Sequence, residues 1–351
     1  MLFDKNQTEF PLSLHRAIWD CGIHILPVEM TLPPEVADHL GPALAESCGQ
    51  LREFMLLVLS DIYENTEIYL PLETDIRLGI QYRFFRQLID YALLGETEEN
   101  RLAVNAAVFG RFKLKNGYGS EKDGGSTFRD RLKMMERAGL KAEHKGDNVI
   151  FTNELYPSMF PAMRAMAQIA SSEKMSGDNS FMNCDFRKLC PSYQCDKLEN
   201  ALVFLSDEQR QVALALMEIA KKPGLACSVR GQGIHCKHRK REIMDLNFMH
   251  NQIILRFRLW YNRENMAPLE AFFWALKEES PALLKYFSRR IHRCHNCKGE
   301  RSGRCAVPVS ICGSPNKLCE SWSKALMWDT HVSMDELPYI DKILEKVMIY
   351  I

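Results

Sequence analysis

Two periods run through the apolar positions of this chain, one of three to four residues and one of two. The helical period comes first. DIRLGIQYRFFRQLIDYALLG, residues 75–95, reads as a helix closed by Gly95, and NRLAVNAAVFGRF, residues 100–112, reads as a second. A polar, Gly-rich loop, KNGYGSEKDGG, follows. Ser126 or Thr127 then caps a third helix in FRDRLKMMERAGL, which ends at Gly139. Phe128, Leu132 and Met135 form its apolar stripe. KAEHKGDNVIFTN alternates on either side of Lys145-Gly146-Asp147 and predicts a β-hairpin. Upstream, residues 49–63 predict one further helix, and the rest of residues 1–70 shows no clear period.

Residues 171–180, SSEKMSGDNS, are small and polar, so residues 176–200 are expected to be a linker. Beyond it Ser206-x-x-Gln209 is a capping box that opens a helix to Lys222. The period of two then takes over. Met244, Leu246 and Phe248 alternate in one segment. Ile253, Leu255, Phe257 and Leu259 alternate in the next, with Arg256 and Arg258 on the opposite face and a turn at His250-Asn251. Two helices follow, the second with Ser280 as its cap and Pro281 at its first position. A last helix opens with Ser333-x-x-Glu336. The domains expected are therefore 1–70, 71–175 and 201–351, joined by the 176–200 linker.

Composition narrows the functional classes. Across 351 residues, 45 Lys and Arg balance 45 Asp and Glu, so any nucleic-acid surface has to be local. No apolar run approaches the roughly 20 residues that cross a bilayer, and the start, MLFDKNQTEF, lacks the pattern of a signal peptide. A cytoplasmic protein without a membrane partner is expected. No phosphate-binding Gly loop, HExxH, GxSxG or catalytic-cysteine signature occurs, which favours a non-enzymatic role.

The 12 cysteines change the picture. In a reducing compartment, clustered cysteines point to metal before disulfides. Residues 292–322 contain Cys294-x-x-Cys297, Cys305, Cys312 and Cys319, with Gly303, Gly313 and Pro315 to turn the chain. Thiolates two residues apart bind one tetrahedral ion at about 2.3 Å. Arg290, Arg293, Lys298, Arg301 and Arg304 favour the thiolate form. The ligands expected for a structural Zn2+ are Cys294, Cys297, Cys312 and Cys319, with Cys305 as the alternative and His292 and His295 as further donors. In IHCKHRKRE, His235 and Lys237 share one face of an expected polar edge strand. Cys236 and His238 share the other face, where they form a second, weaker ligand pair. Cys184, Cys190 and Cys195 are spaced too loosely for a metal turn.

Two resemblances arise from these residues. FRDRLKMMERAGL stands where a recognition helix would, and VIFTN where a wing strand would, so residues 75–160 resemble winged helix-turn-helix regulators. That likeness implies contact with double-stranded DNA through Arg129, Arg131, Lys133 and Arg137. IHCKHRKREIMDLNFMHNQIILRFRLW, followed by the CHNCKGE to NKLCESW stretch, resembles uncharacterised bacterial α+β domains with a cysteine-rich zinc-binding insertion. The fold expected is α+β: a helical, winged-helix-like N-terminal domain plus a small antiparallel-sheet domain with a metal loop. The function expected is a regulator with a small-molecule or protein effector. Its alternatives are a scaffold that does not bind DNA, and a redox or metal sensor or enzyme sited near the cysteine loop.

Overall fold

The computed structural model describes residues 31–64, 80–98, 100–110, 128–172, 181, 184–203, 205–230, 233–249, 252–291, 306–319 and 325–351. The protein is α+β with antiparallel sheets, and it divides into two compact units, Met1–Tyr193 and Gln194–Ile351. Among the described residues no helix is long and apolar enough to cross a membrane.

In the first unit the elements are α1 (Pro34–Glu64), α2 (Ile80–Leu94), β1 (Glu96–Glu98), β2 (Arg101–Asn105), α3 (Ala106–Gly110), α4 (Phe128–Arg137), β3 (Leu140–Lys145), β4 (Asn148–Asn153) and α5 (Phe160–Ser172). The sheet order is β1-β2-β4-β3, with every pair antiparallel. Helix α1 starts fifteen residues before the expected residue 49, because the chain passes through Gly41 (φ 71°) and Pro42 as a kink between two helical runs. The second expected helix is a strand followed by one short helical turn. Leu102 and Val104 are buried on one face of β2 while Arg101 and Asn105 are exposed, which is a period of two. Tyr91, Phe109 and Phe151 join α2, α3 and β4, with ring centroids 5.2–5.8 Å apart. The Tyr91 hydroxyl accepts from Gln87 at 2.8 Å and donates to the Phe109 carbonyl at 3.2 Å.

Helix α4 ends as expected at Gly139, whose φ of 81° suits glycine. A Cβ there would lie 2.8 Å from Asn153 Oδ1. The buried Asn153 donates to the Ala138 carbonyl at 3.1 Å and accepts from the Leu155 and Tyr156 amides. One side chain thus ties the end of α4 to the end of the β3–β4 hairpin.

Part of the expected linker belongs to this first unit. Cys184, Phe186 and Cys190 are buried, and a 3-10 turn at Phe186–Leu189 packs on α1 and α5. Arg187 and Asp185 form a buried ion pair at 2.7 Å, and Ser192 donates to Glu35 on α1 at 3.0 Å. The polar run at 171–180 suggests a linker by composition alone. The apolar residues after it secure the chain.

The second unit contains α6 (Leu198–Ala201), α7 (Asp207–Lys221), β5 (Ala226–Arg230), β6 (Gly233–His238), β7 (Arg241–Met249), β8 (Gln252–Trp260), α8 (Ala267–Glu279), α9 (Pro281–Ser288), β9 (Ala306–Ile311), β10 (Ser314–Cys319), β11 (Ala325–His331) and α10 (Leu337–Tyr350). Five antiparallel strands run in the order β11-β8-β7-β6-β5. Strand β6 is therefore interior, not the edge strand that its polar sequence suggested. Ser206 Oγ accepts from the Gln209 amide and Ser280 Oγ from the Ala282 amide, so both expected caps form. One face of the sheet, with Met244, Leu246, Phe248, Ile253, Leu255 and Phe257, packs into the core with helices α7 to α10. Its other face carries the polar residues of β6 to β8.

Candidate functional site

The bulge in strand β7 gathers a cluster of charged and polar side chains in the second unit. Along β6 and β7, Cys236 stands opposite Met244, but Lys237 stands opposite Glu242, leaving Ile243 as the extra residue. Regular alternation would put Glu242 on the apolar face with Met244. A bulge re-aims a side chain, and here Glu242 lies beside His235 and Asp245 on the polar face. His235 Nδ1 is 2.9 Å from Glu242 Oε2. Arg258 Nε donates to Glu242 Oε1 at 2.5 Å and lies 3.9 Å from Asp245 Oδ1. Asp245 Oδ2 accepts from Asn247 at 2.7 Å and is 3.6 Å from Arg256 Nη1. The Trp260 indole donates to the Glu242 carbonyl at 2.7 Å, which pins the bulge.

The pKa values of the two carboxyls move in opposite directions. Burial works to raise the Glu242 pKa. The hydrogen bond with His235 and the charge of Arg258 outweigh it and bring the group down to about 2. For Asp245, only 1% exposed, burial wins over Arg256 and Arg258 and the pKa is raised. Asp245 Oδ1 accepts no hydrogen bond. The donor atoms of His235, Glu242 and Asp245 all lie within 4.8 Å of one another. Nothing in the sequence pattern singled out Glu242 and Asp245, because the bulge that joins them breaks the alternation from which the strand was read. Only the facing of His235 away from Cys236 was legible.

The second expected ligand pair does not form. Cys227 and Cys236 face each other in β5 and β6, their Cα atoms 4.0 Å apart, and are joined in a disulfide. Cys236 is fully buried.

The cysteine loop is partly a β-hairpin. Val307, Val309 and Ile311 alternate inward along β9, which packs on α8. Cys312 and Gly313 form its two-residue turn, with φ 48° and 89°. Cys319 lies at the other end of β10, opposite Ala306. Ser314 to Cys319 is about 16 Å of extended chain, whereas sulfurs on one tetrahedral zinc are about 4 Å apart at 2.3 Å from the ion. Cys312 and Cys319 therefore cannot share an ion, and the expected set of four is corrected on that point. The Cys312 thiol donates to the Phe273 carbonyl at 3.4 Å, and burial pushes its pKa up against the charge of Lys277. Cys294, Cys297 and Cys305, with His292 and His295, lie outside the described residues.

Of the residues expected at DNA, Lys133 is exposed on α4. The Arg137 guanidinium lies 3.3 Å from Asp61 of α1, so this member of the basic stripe is engaged within the unit. The side chains of Arg129 and Arg131 lie outside the description. Between α4 and β3 is a cleft of about 210 Å³ lined by Phe109, Leu132, Met135, Leu140, Ala142 and His144. That is less than the roughly 300 Å³ at which pockets for drug-sized ligands begin.

Compared with known proteins, the chain matches no family model, no curated protein and no solved structure.

Proposed function

We propose that the chain is a non-enzymatic cytoplasmic regulator that binds double-stranded DNA through α4 and takes a small-molecule or protein effector. The observation that carries this reading is the element order α2–β1–β2–α3–α4–β3–β4, which is that of a winged helix-turn-helix once the short β1 is set aside, with β2 paired to β4. In that reading α4 is the recognition helix, β3–β4 is the wing, and β1 is an addition at the sheet edge. Exposure of Lys133, and of Lys141 and Lys145 on the wing, supports it. Lys141 and Lys145 are paired with Glu154 and Glu143 at the surface, and exposed pairs of that kind are worth little and exchange readily.

Duplex binding by the full chain, measured across salt concentrations, tests the reading. Removing one cation from a phosphate reduces the slope of log affinity against log salt by about 0.9. The triple change Arg129→Ala, Arg131→Ala, Lys133→Ala is expected to flatten the slope by about two to three. Arg137→Ala should change it by less, because Asp61 already holds that side chain. Absence of binding even at low salt defeats the proposal and leaves the scaffold reading.

A structural Zn2+ in the cysteine loop belongs to the same proposal, with Cys294, Cys297 and Cys319 as ligands and Cys305 in place of Cys312. Cys305 directly precedes Ala306, the residue opposite Cys319. Metal analysis of protein purified without chelator is expected to give about one zinc per chain fewer for Cys305→Ser than for Cys312→Ser. Equal zinc in the two variants sinks this ligand set.

A further inference from the structure

We propose that His235, Glu242 and Asp245 form a second metal site, for a divalent transition ion that accepts nitrogen and oxygen ligands, separate from the cysteine loop. The ligand atoms are His235 Nδ1, Glu242 Oε2 and Asp245 Oδ1. One imidazole and two carboxylates that can close on a common point suit zinc, cobalt or manganese more than the softer thiolate-seeking ions.

Three observations point to an ion. The first is the donor set itself: each of the three residues offers a ligand atom, and these lie within 4.8 Å of one another. The second is Asp245 Oδ1. It sits on a side chain 1% exposed and accepts no hydrogen bond, although Oδ2 of the same carboxyl is bonded to Asn247. A buried polar atom without a partner carries its full desolvation penalty, and a metal–oxygen bond removes that cost. The third is the 2.9 Å separation of His235 Nδ1 and Glu242 Oε2. A proton now bridges them, and adjacent ligands on one ion are separated by about the same distance. The ion would replace that bridging proton, which leaves to solvent, so no other bond has to break between these two groups.

The supporting contacts also match a ligand shell. Glu242 Oε1 is held by Arg258, and Asp245 Oδ2 by Asn247 and Arg256, so each carboxylate is anchored through one oxygen, while Glu242 Oε2 meets His235 and Asp245 Oδ1 accepts no hydrogen bond. Arg258 is also the main opponent. Its Nε lies 3.9 Å from Asp245 Oδ1, so the guanidinium occupies part of the space an ion needs. Binding requires that it withdraw from Asp245 while staying on Glu242. His235 and Glu242 are 23% and 18% exposed, which leaves a path from solvent and a position for water.

The test is Co2+ binding to the chelator-stripped full chain, followed by calorimetry and absorbance. Thiolate–cobalt bonds give an intense near-ultraviolet charge-transfer band, and nitrogen and oxygen ligands do not. The wild-type chain is expected to bind one Co2+ without that band, in addition to any cobalt that the cysteine loop takes with it. Asp245→Asn and His235→Gln should each weaken this event at least tenfold, while Cys319→Ser leaves it in place. Arg258→Met removes the competing guanidinium and should tighten it. His235 lies at the half-exposed edge of the cluster, so its variant keeps the test valid should Asp245→Asn fail to fold. Cobalt bound only with the thiolate band, or bound equally by the wild-type chain and both ligand variants, overturns the proposal.

Discussion

Replacing Trp328 with alanine is expected to cost the second unit about 3–5 kcal/mol, the range for deleting a large buried aromatic. Trp328 is fully buried on β11. Its ring stacks on Phe287 of α9 at 5.3 Å with an interplanar angle of 2°, and it lies 5.2 Å from Phe257 of β8. Its indole N–H donates to the Phe287 carbonyl at 2.9 Å. One residue therefore supplies apolar area, a ring stack and a partner for a carbonyl at the end of a helix. Truncation leaves a cavity between sheet and helix and removes one of the donors to that carbonyl, which keeps the Arg290 amide at 3.0 Å. For a unit of this size the loss corresponds to a fall of roughly 10 °C in the melting temperature. Trp274 of α8 is the control. It is 44% exposed, with Lys277 over its ring at 4.7 Å, and its alanine variant should change stability by about 0.5 kcal/mol or less. Calorimetric scans of the two variants check this. Equal melting shifts would mean that the buried stack does not hold the sheet to its helices.

Elements whose residues repeat cleanly are legible in the sequence. Strands β7 and β8 follow the alternation of Met244 to Phe248 and of Ile253 to Leu259, and the helices opened by Ser206 and Ser280 begin at those caps. Helix α4 and the β3–β4 hairpin likewise lie where Gly139 and Gly146 put their ends. The elements that are not legible depend on contacts between distant residues. Strand β2 has only Leu102 and Val104 to mark its period, and a short apolar run fits helix and strand equally until a partner such as β4 is known. The β9–β10 hairpin is masked by its cysteines, which suggest metal although Val307, Val309 and Ile311 alternate. The same bias affects Cys236: its partner Cys227 is nine residues away, and only the β5–β6 register brings the two together. The His235–Glu242–Asp245 cluster is the least legible, since a single extra residue in β7 creates it. Bulges carry weak sequence marks, yet they decide which side chains meet.

That bulge leads to the second large effect. Glu242→Gln is expected to destabilise metal-free protein by about 3 kcal/mol at neutral pH, the free energy that separates an ordinary glutamate at 4.5 from one brought down to about 2. The Glu242 side chain is 18% exposed, so solvent screens the cluster only in part. The direction follows from proton counts. A carboxyl whose folded pKa is depressed binds fewer protons in the folded chain than in the unfolded one. Its stabilisation is complete above about 4.5 and is lost as the pH falls from there towards 2. Asp245 acts the other way. Its pKa is raised by burial, so the folded chain holds a proton longer than the unfolded one, and stability from this group falls as the pH rises above 3.8. The two carboxyls share only Arg258: Glu242 also faces His235, and Asp245 also faces Arg256 and Asn247. Unfolding by urea at a series of pH values separates the two. Glu242→Gln should flatten the loss between pH 4.5 and 2, and Asp245→Asn should leave that loss in place while costing much less at neutral pH. If Asp245→Asn proves the more costly of the two at neutral pH, the buried aspartate and not the bulge glutamate anchors the arginines, and the assignment of the two carboxyls is reversed.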